Sequence, residues 1–206
     1  MLAVSLPGTP VRAAETGNGN PPVILVVGDS LSSGYGVSVD ATWVALLDKR
    51  LAGQGYVYRV VNASVSGETT GGGRARLSHA LQVHKPTIVI LELGGNDGLR
   101  GLPLRQMRDN LEAMIEQAQA AGAQPVLVGM RIHPNYGPAY TEGFHAVFGE
   151  LAKKHSLPLV PFLLEGVAFH DDLMQSDAIH PNTQAQPVLL NNLWPTLRPL
   201  LHKNAP

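Results

Sequence analysis

Five short apolar runs, at 23–27, 57–61, 87–93, 125–130 and 157–160, alternate with stretches whose apolar residues recur every three or four positions. The runs are rich in Val, Ile and Leu and hardly alternate with polar residues, as strands buried on both faces do. Between and after them, Trp43, Leu46, Leu47 and Leu51 share one helical face. So do Leu104, Met107, Leu111 and Ile115, then Tyr140, Phe144, Val147, Phe148 and Leu151, and finally Leu190, Leu193, Trp194, Leu197 and Leu201. Strand–helix alternation of this kind implies right-handed crossovers and a parallel sheet covered on both sides. The expected fold is α/β, a three-layer α/β/α sandwich around a central parallel sheet of about five strands. Pro195 should kink or interrupt the last helix, because it has no N–H to give the carbonyl of Asn191.

The length of 206 residues suits one such domain, over 23–206. Residues 1–22 differ in kind. They hold Pro7, Gly8, Pro10, Gly17, Gly19, Pro21 and Pro22 without periodicity and read as a flexible leader. Leu2 to Leu6 is too short for a signal core, yet Val11-Arg12-Ala13-Ala14-Glu15 resembles a small-residue cleavage site. On that basis a remnant of an export signal, and hence a periplasmic or secreted protein, is expected. Fifteen Lys and Arg against 16 Asp and Glu, with no basic stripe, argue against nucleic acid as a partner. No apolar run is long enough for stable membrane insertion. Cysteine is absent, so disulfides, thiolate metal sites and cysteine nucleophiles drop out.

Chemistry-bearing residues gather where the runs end. Gly28-Asp29-Ser30-Leu31-Ser32 puts Ser30 just past the first strand, at the edge where open α/β sheets bind ligands. A serine there needs a base and an oxyanion site to act as a nucleophile. Gly28 is read as the point where the chain turns sharply, and Asp29 or Ser30 as a possible helix cap. Asn62-Ala63-Ser64-Val65-Ser66-Gly67-Glu68-Thr69-Thr70 follows the second run and offers the Gly67 backbone N–H; Gly71 to Gly73 are expected to form a pliable loop. Glu92-Leu93-Gly94-Gly95-Asn96-Asp97-Gly98 ends the third run, and the Asn96 amide can donate to a developing oxyanion. Asp177-Ala178-Ile179-His180-Pro181 precedes the last helix, and its three-residue offset lets carboxylate and imidazole meet. Of the eight histidines only His180 has an acid so placed; His170 beside Asp171 and Asp172 reads as a solvated loop. Taken singly, each motif is also explained by a cap or a turn. Their joint order along the chain is not.

Together these four words resemble the SGNH hydrolases, the GDSL-type esterases and lipases. Within them the chain is similar to the bacterial multifunctional thioesterase I, lysophospholipase L1 and arylesterase group, from about residue 23 to about 200. The resemblance implies a flavodoxin-like SGNH hydrolase fold and a serine hydrolase. Ser30 would be the nucleophile, His180 the base and then the acid, and Asp177 the orienting carboxylate. The oxyanion donors would be the N–H groups of Ser30 and Gly67 and the side chain of Asn96. It implies no metal and no organic cofactor, small-molecule acyl ester or thioester substrates, and a monomer. Position 178, often glycine in such proteins, is Ala here.

Leu99, Leu102, Pro103, Ile132 and Pro134 either border an acyl groove or simply pack their loops, and Gly71–Gly73 would then close over the acyl chain. Two rival functions are open at this stage. One is a carbohydrate O-acetyl esterase on the same scaffold. The other is a non-catalytic flavodoxin-like binder with phosphate in the 28–36 loop; that loop lacks the glycine spacing and the lysine of phosphate-binding loops.

Overall fold

The computed structural model describes residues 20–203. The expected leader and its cleavage-like stretch therefore lie, but for residues 20–22, outside the described residues. Five strands, β1 (Val23–Gly28), β2 (Arg59–Asn62), β3 (Ile88–Glu92), β4 (Gln124–Val128) and β5 (Leu159–Val160), form one parallel sheet in the order β2-β1-β3-β4-β5. The chain leaves β1 for one neighbour, β2, and then crosses back to the other, β3. The strand order thus reverses at β1, and the crevice outside its carboxyl end is where such sheets hold ligands. Register keeps the ends level, with Gly28 opposite Glu92 and Val26 opposite Asn62.

Burial explains how well each strand reads from the sequence. Every residue of β1 and β3 is buried, in keeping with their continuous apolar runs. β2 lies at the sheet edge, and it begins at Arg59 rather than at residue 57. Val57 is half-exposed because the chain is still approaching the sheet there.

The helices are α1 (Ser30–Ser33), α2 (Trp43–Gly53), α3 (Thr70–His84), α4 (Gly95–Leu99), α5 (Leu104–Ala120), α6 (Pro138–His155) and α7 (Gln186–Leu197). α2 packs on α7, while α3 packs on α5 and α5 on α6, giving two helical layers around the sheet. The apolar faces read from the sequence are the ones buried: Trp43, Leu47 and Leu51; Met107, Leu111 and Ile115; Phe144, Val147 and Phe148; Leu190, Leu193 and Leu197. Each such side chain contributes roughly 1.5–3 kcal/mol on leaving water.

Two expectations fail here. Gly71–Gly73 do not form a pliable loop; they are the first turn of α3. Thr69 caps that turn by accepting from the Gly72 N–H. The Thr70 N–H and hydroxyl both donate to the buried Asp97 carboxylate, at 2.8 and 2.5 Å, and the Asn110 amide donates to the Thr70 oxygen. A Cβ at Gly73 would lie 2.3 Å from Leu93 Cδ1, so this glycine serves close packing of helix on sheet. Nor does Pro195 interrupt the last helix. α7 runs on to Leu197 and tightens into a 3₁₀ turn at Arg198–Leu200. The proline lies two residues from the helix end, and the buried Leu190, Leu193 and Leu197 keep this stretch packed on the core past the missing bond.

Candidate active site

Ser30 opens α1 directly after β1. Its neighbour Asp29 caps that helix, with Oδ1 accepting from the Leu31 N–H at 3.0 Å. This fulfils the capping reading of Asp29, and it leaves the Ser30 N–H without a protein acceptor among the described residues. Gly28 is required for a different reason from a turn. A Cβ there would sit 2.6 Å from Glu92 Oε2 and 2.7 Å from Ser32 Oγ, inside a buried polar contact.

His180 comes from the loop before α7, 150 residues away in sequence, yet its Nε2 lies 2.9 Å from Ser30 Oγ. Nδ1 lies 2.6 Å from Asp177 Oδ2, while Asp177 Oδ1 accepts from the N–H groups of Ile179 and His180, both at 3.0 Å. Partial burial works to raise the Asp177 pKa. The bonds from the His180 ring and from the two amides outweigh it and bring the carboxyl down to about 2. An ionised carboxylate only accepts, so Nδ1 carries the imidazole proton and Nε2 is free to accept from the serine hydroxyl. The loop turns through Ala178 at φ 56°, in the left-handed region. Such a conformation favours glycine, and Ala occupies it with strain. The Tyr35 ring lies against the imidazole, with centroids 4.5 Å apart.

Gly67 and Asn96 reach the same rim. Gly67 adopts φ 77° in a turn closed by the Glu68 N–H and Val65 O, a conformation that favours glycine. Its own N–H has no protein acceptor among the described residues. The turn is fastened to the nucleophile's strand by the Val65 N–H on Gly28 O, and its Ser66 hydroxyl pairs with that of Ser33 at 2.8 Å. Asn96 is the second residue of α4, and its Nδ2 donates to Asp29 Oδ2 at 3.0 Å. One amide hydrogen is thereby fixed and the other is left for a ligand. The residues singled out from sequence, Ser30, Gly67, Asn96, Asp177 and His180, therefore all sit around the carboxyl edge of β1.

Beneath them lies a layer that sequence reasoning missed. Glu92 is fully buried, accepts from Ser32 Oγ at 2.5 Å, and faces the Asp29 N–H. Burial first, then the neighbouring Asp29 charge, raises its pKa well above 4.5. Burial likewise raises Asp29 to about 6, against the lowering bonds from Leu31 and Asn96. An acid closing an otherwise apolar strand was the available signal.

Other readings resolve more plainly. His170, Asp171 and Asp172 are exposed, as a solvated loop should be. Ile132 packs on the core, whereas Leu99, Pro103 and Pro134 are exposed; the Tyr136 and Tyr140 hydroxyls donate to the carbonyls of Leu99 and Leu102 and stitch these loops together. Among the described residues, the side chains grouped as metal ligands could be are Glu112, Glu116 and His155, on α5 and α6. There the Glu112 carboxylate is already engaged by Lys154 and His155. No helix among the described residues is long and apolar enough to cross a membrane.

With this geometry in hand, residues 26–186 match the model of the GDSL-like lipase/acylhydrolase family. The chain belongs to that family. It is 50% identical to the esterase TesA of Pseudomonas aeruginosa, over 98% of this chain and 100% of the relative. It is 42% identical to the thioesterase 1/protease 1/lysophospholipase L1 of Escherichia coli K12, over 88% of this chain and 86% of that protein. The crystal structure of the psychrotrophic esterase EstA from Pseudoalteromonas, inhibited by monoethylphosphonate, superposes with a TM-score of 0.83 at 39% identity and covers 86% of this chain and 97% of its own. The GDSL/SGNH reading made from the four motifs is thus established, as are the hydrolase class and the five-stranded parallel fold.

Proposed function

We propose that Ser30, His180 and Asp177 form the catalytic triad of an esterase and thioesterase acting on acyl esters and acyl thioesters. The observation that carries this is the unbroken line from carboxylate to imidazole to hydroxyl, at 2.6 and 2.9 Å. Ser30 Oγ attacks the acyl carbonyl carbon while its proton passes to His180 Nε2. The oxyanion is met by the Ser30 N–H, the Gly67 N–H and the free hydrogen of Asn96 Nδ2. The tetrahedral species collapses, the bond to the alkoxide or thiolate breaks, and His180 returns the proton to that leaving group. Water then repeats the sequence on the acyl-enzyme and releases the carboxylic acid. Asp177 stays ionised throughout and holds the ring in its working tautomer.

Acyl esters and thioesters are favoured by the names of the relatives, an esterase and a thioesterase/lysophospholipase. Those names favour them over the carbohydrate O-acetyl esterase alternative. EstA's inhibition by monoethylphosphonate is in keeping with an activated serine in this fold. A fluorophosphonate probe tests the reading: wild type should be tagged at Ser30, and Ser30→Ala should be neither tagged nor active. Tagging at another residue, or turnover by Ser30→Ala, refutes it. Export rests on the Val11–Glu15 stretch alone; an N-terminus processed near it in periplasmic material would support export, and an intact Met1 on a cytoplasmic product would count against it.

A further inference from the structure

The loop that carries Asp177 and His180 has little apolar anchorage. Ser176, Asp177, Ala178 and Ile179 are all exposed, so burial does not fix where the imidazole sits. Hydrogen bonds do: the Asn182 N–H and Nδ2 hold the loop to the carbonyls of Leu173 and Asp172, and two glutamines tie it to the nucleophile's side of the site. From beneath, Trp43 donates its ring N–H to Leu31 O at 3.2 Å and its backbone N–H to Gln186 Oε1 at 2.9 Å. Gln186 Nε2 in turn donates to Asn182 O at 3.2 Å. This chain ties the nucleophile's helix to the residues just after His180.

The outer side carries a second tie, through Gln175. Its backbone N–H donates to His180 O at 2.7 Å, and its carbonyl accepts from the Ala178 N–H at 3.0 Å, closing the catalytic loop on itself. Its side-chain Nε2 donates to Pro181 O at 3.0 Å and reaches across to Tyr35 O at 2.8 Å. Tyr35 is fastened to the nucleophile, since its N–H donates to Ser30 O at 3.1 Å, and its ring lies against the imidazole. The circuit is closed: Ser30 carbonyl, Tyr35, Gln175, His180 backbone, His180 ring, Ser30 hydroxyl. Gly36 belongs to the same device. It adopts φ 70°, and the place a Cβ would take is filled by the Gln175 amide, 2.2 Å away at Oε1.

We infer that Gln175 is a positioning residue that sets the distance between His180 and Ser30 by bracing the base-bearing loop against Tyr35. The inference rests on the Ser30–His180 reading above. It assigns Gln175 no contact with the substrate; its effect passes through the place of the imidazole. A shift of about 1 Å at such a group costs on the order of 10²-fold in rate.

The test uses two perturbations from opposite sides. Gln175→Leu removes both donors at similar length, and Gly36→Ala drives a methyl into the space of the Gln175 amide from the exposed Tyr35–Gly36 turn. For each, kcat and KM on a short aryl ester and the rate of fluorophosphonate labelling are compared with wild type. The expected result is a fall in kcat and in labelling rate of roughly 10- to 100-fold, with KM within about twofold. Both variants holding wild-type kcat and labelling rate would overturn the inference. So would a raised KM at unchanged kcat, which would make Gln175 a substrate-binding residue. Should Gln175→Leu fail to fold, Gly36→Ala decides alone. Absence of Ser30 labelling in the wild type would instead refute the nucleophile reading, so the two failures are distinct.

Discussion

Replacing Glu92 by glutamine tests how the floor of the site is ionised. Glu92 exposes no surface, and burial followed by the Asp29 charge lifts its carboxyl well above 4.5. The folded protein therefore holds this proton to higher pH than the unfolded chain does. With one more proton bound in the folded state, stability falls as pH rises above about 4.5, and goes on falling until Glu92 itself ionises. The slope is about 1.36 kcal/mol per pH unit. Asp29 acts with the same sign, but its share is complete once pH passes its value of about 6. Glutamine has the same shape, is neutral at every pH, and offers an oxygen to the Ser32 hydroxyl. Urea unfolding of both proteins should therefore show the stability of Glu92→Gln, relative to wild type, rising as pH climbs above about 4.5, by up to about 1.36 kcal/mol per pH unit. The offset at the lower pH does not matter to the test. A difference that stays constant with pH would mean that Glu92 is already ionised in the folded protein, and the reasoning would fail.

Asn96→Ala removes one oxyanion donor and should lower kcat by ~10²–10³, roughly 3–4 kcal/mol, with the melting temperature as the check that the fold survives. Asp177→Asn can donate to Nδ1 and so select the wrong imidazole tautomer; steady-state kinetics should show kcat falling by as much as ~10⁴ with KM little changed. Asp177 stays ionised down to about pH 2, so its protonation should cost activity only near that pH; a pH–rate profile in which Asp177→Asn abolishes an acid limb well above pH 2 would contradict this. Ala178→Gly relieves a left-handed alanine and should stabilise the protein by about 1 kcal/mol, read as a shift in the denaturant midpoint; no gain would mean that the loop relaxes around the alanine at no cost.

What the sequence made legible follows from how each feature is held. Strands buried on both faces are spelled as continuous apolar runs, so β1 and β3 could be read within a residue or two. β2 slipped because an edge strand does not need every residue to be apolar. α3 was illegible because its first turn, Thr70-Gly71-Gly72-Gly73, has poor helix propensity; that turn exists through Thr69 as cap, through the Asp97 and Asn110 bonds to Thr70, and through a contact with Leu93 that only glycine permits. The groups placed at the reacting atoms could be read because their chemistry restricts residue type: few side chains can serve as nucleophile, base or amide donor. Their supports could not, because an ordinary Asp, Glu or Gln becomes a support only through partners 60 to 140 positions away, as Glu92 does with Ser32 and Gln175 with Tyr35. The residue types of a site are thus written in local motifs, whereas its distances are written in long-range pairs. Rates depend on those distances as well as on residue type, so a sequence with all four motifs intact can still encode a slow enzyme if Gln175 is lost.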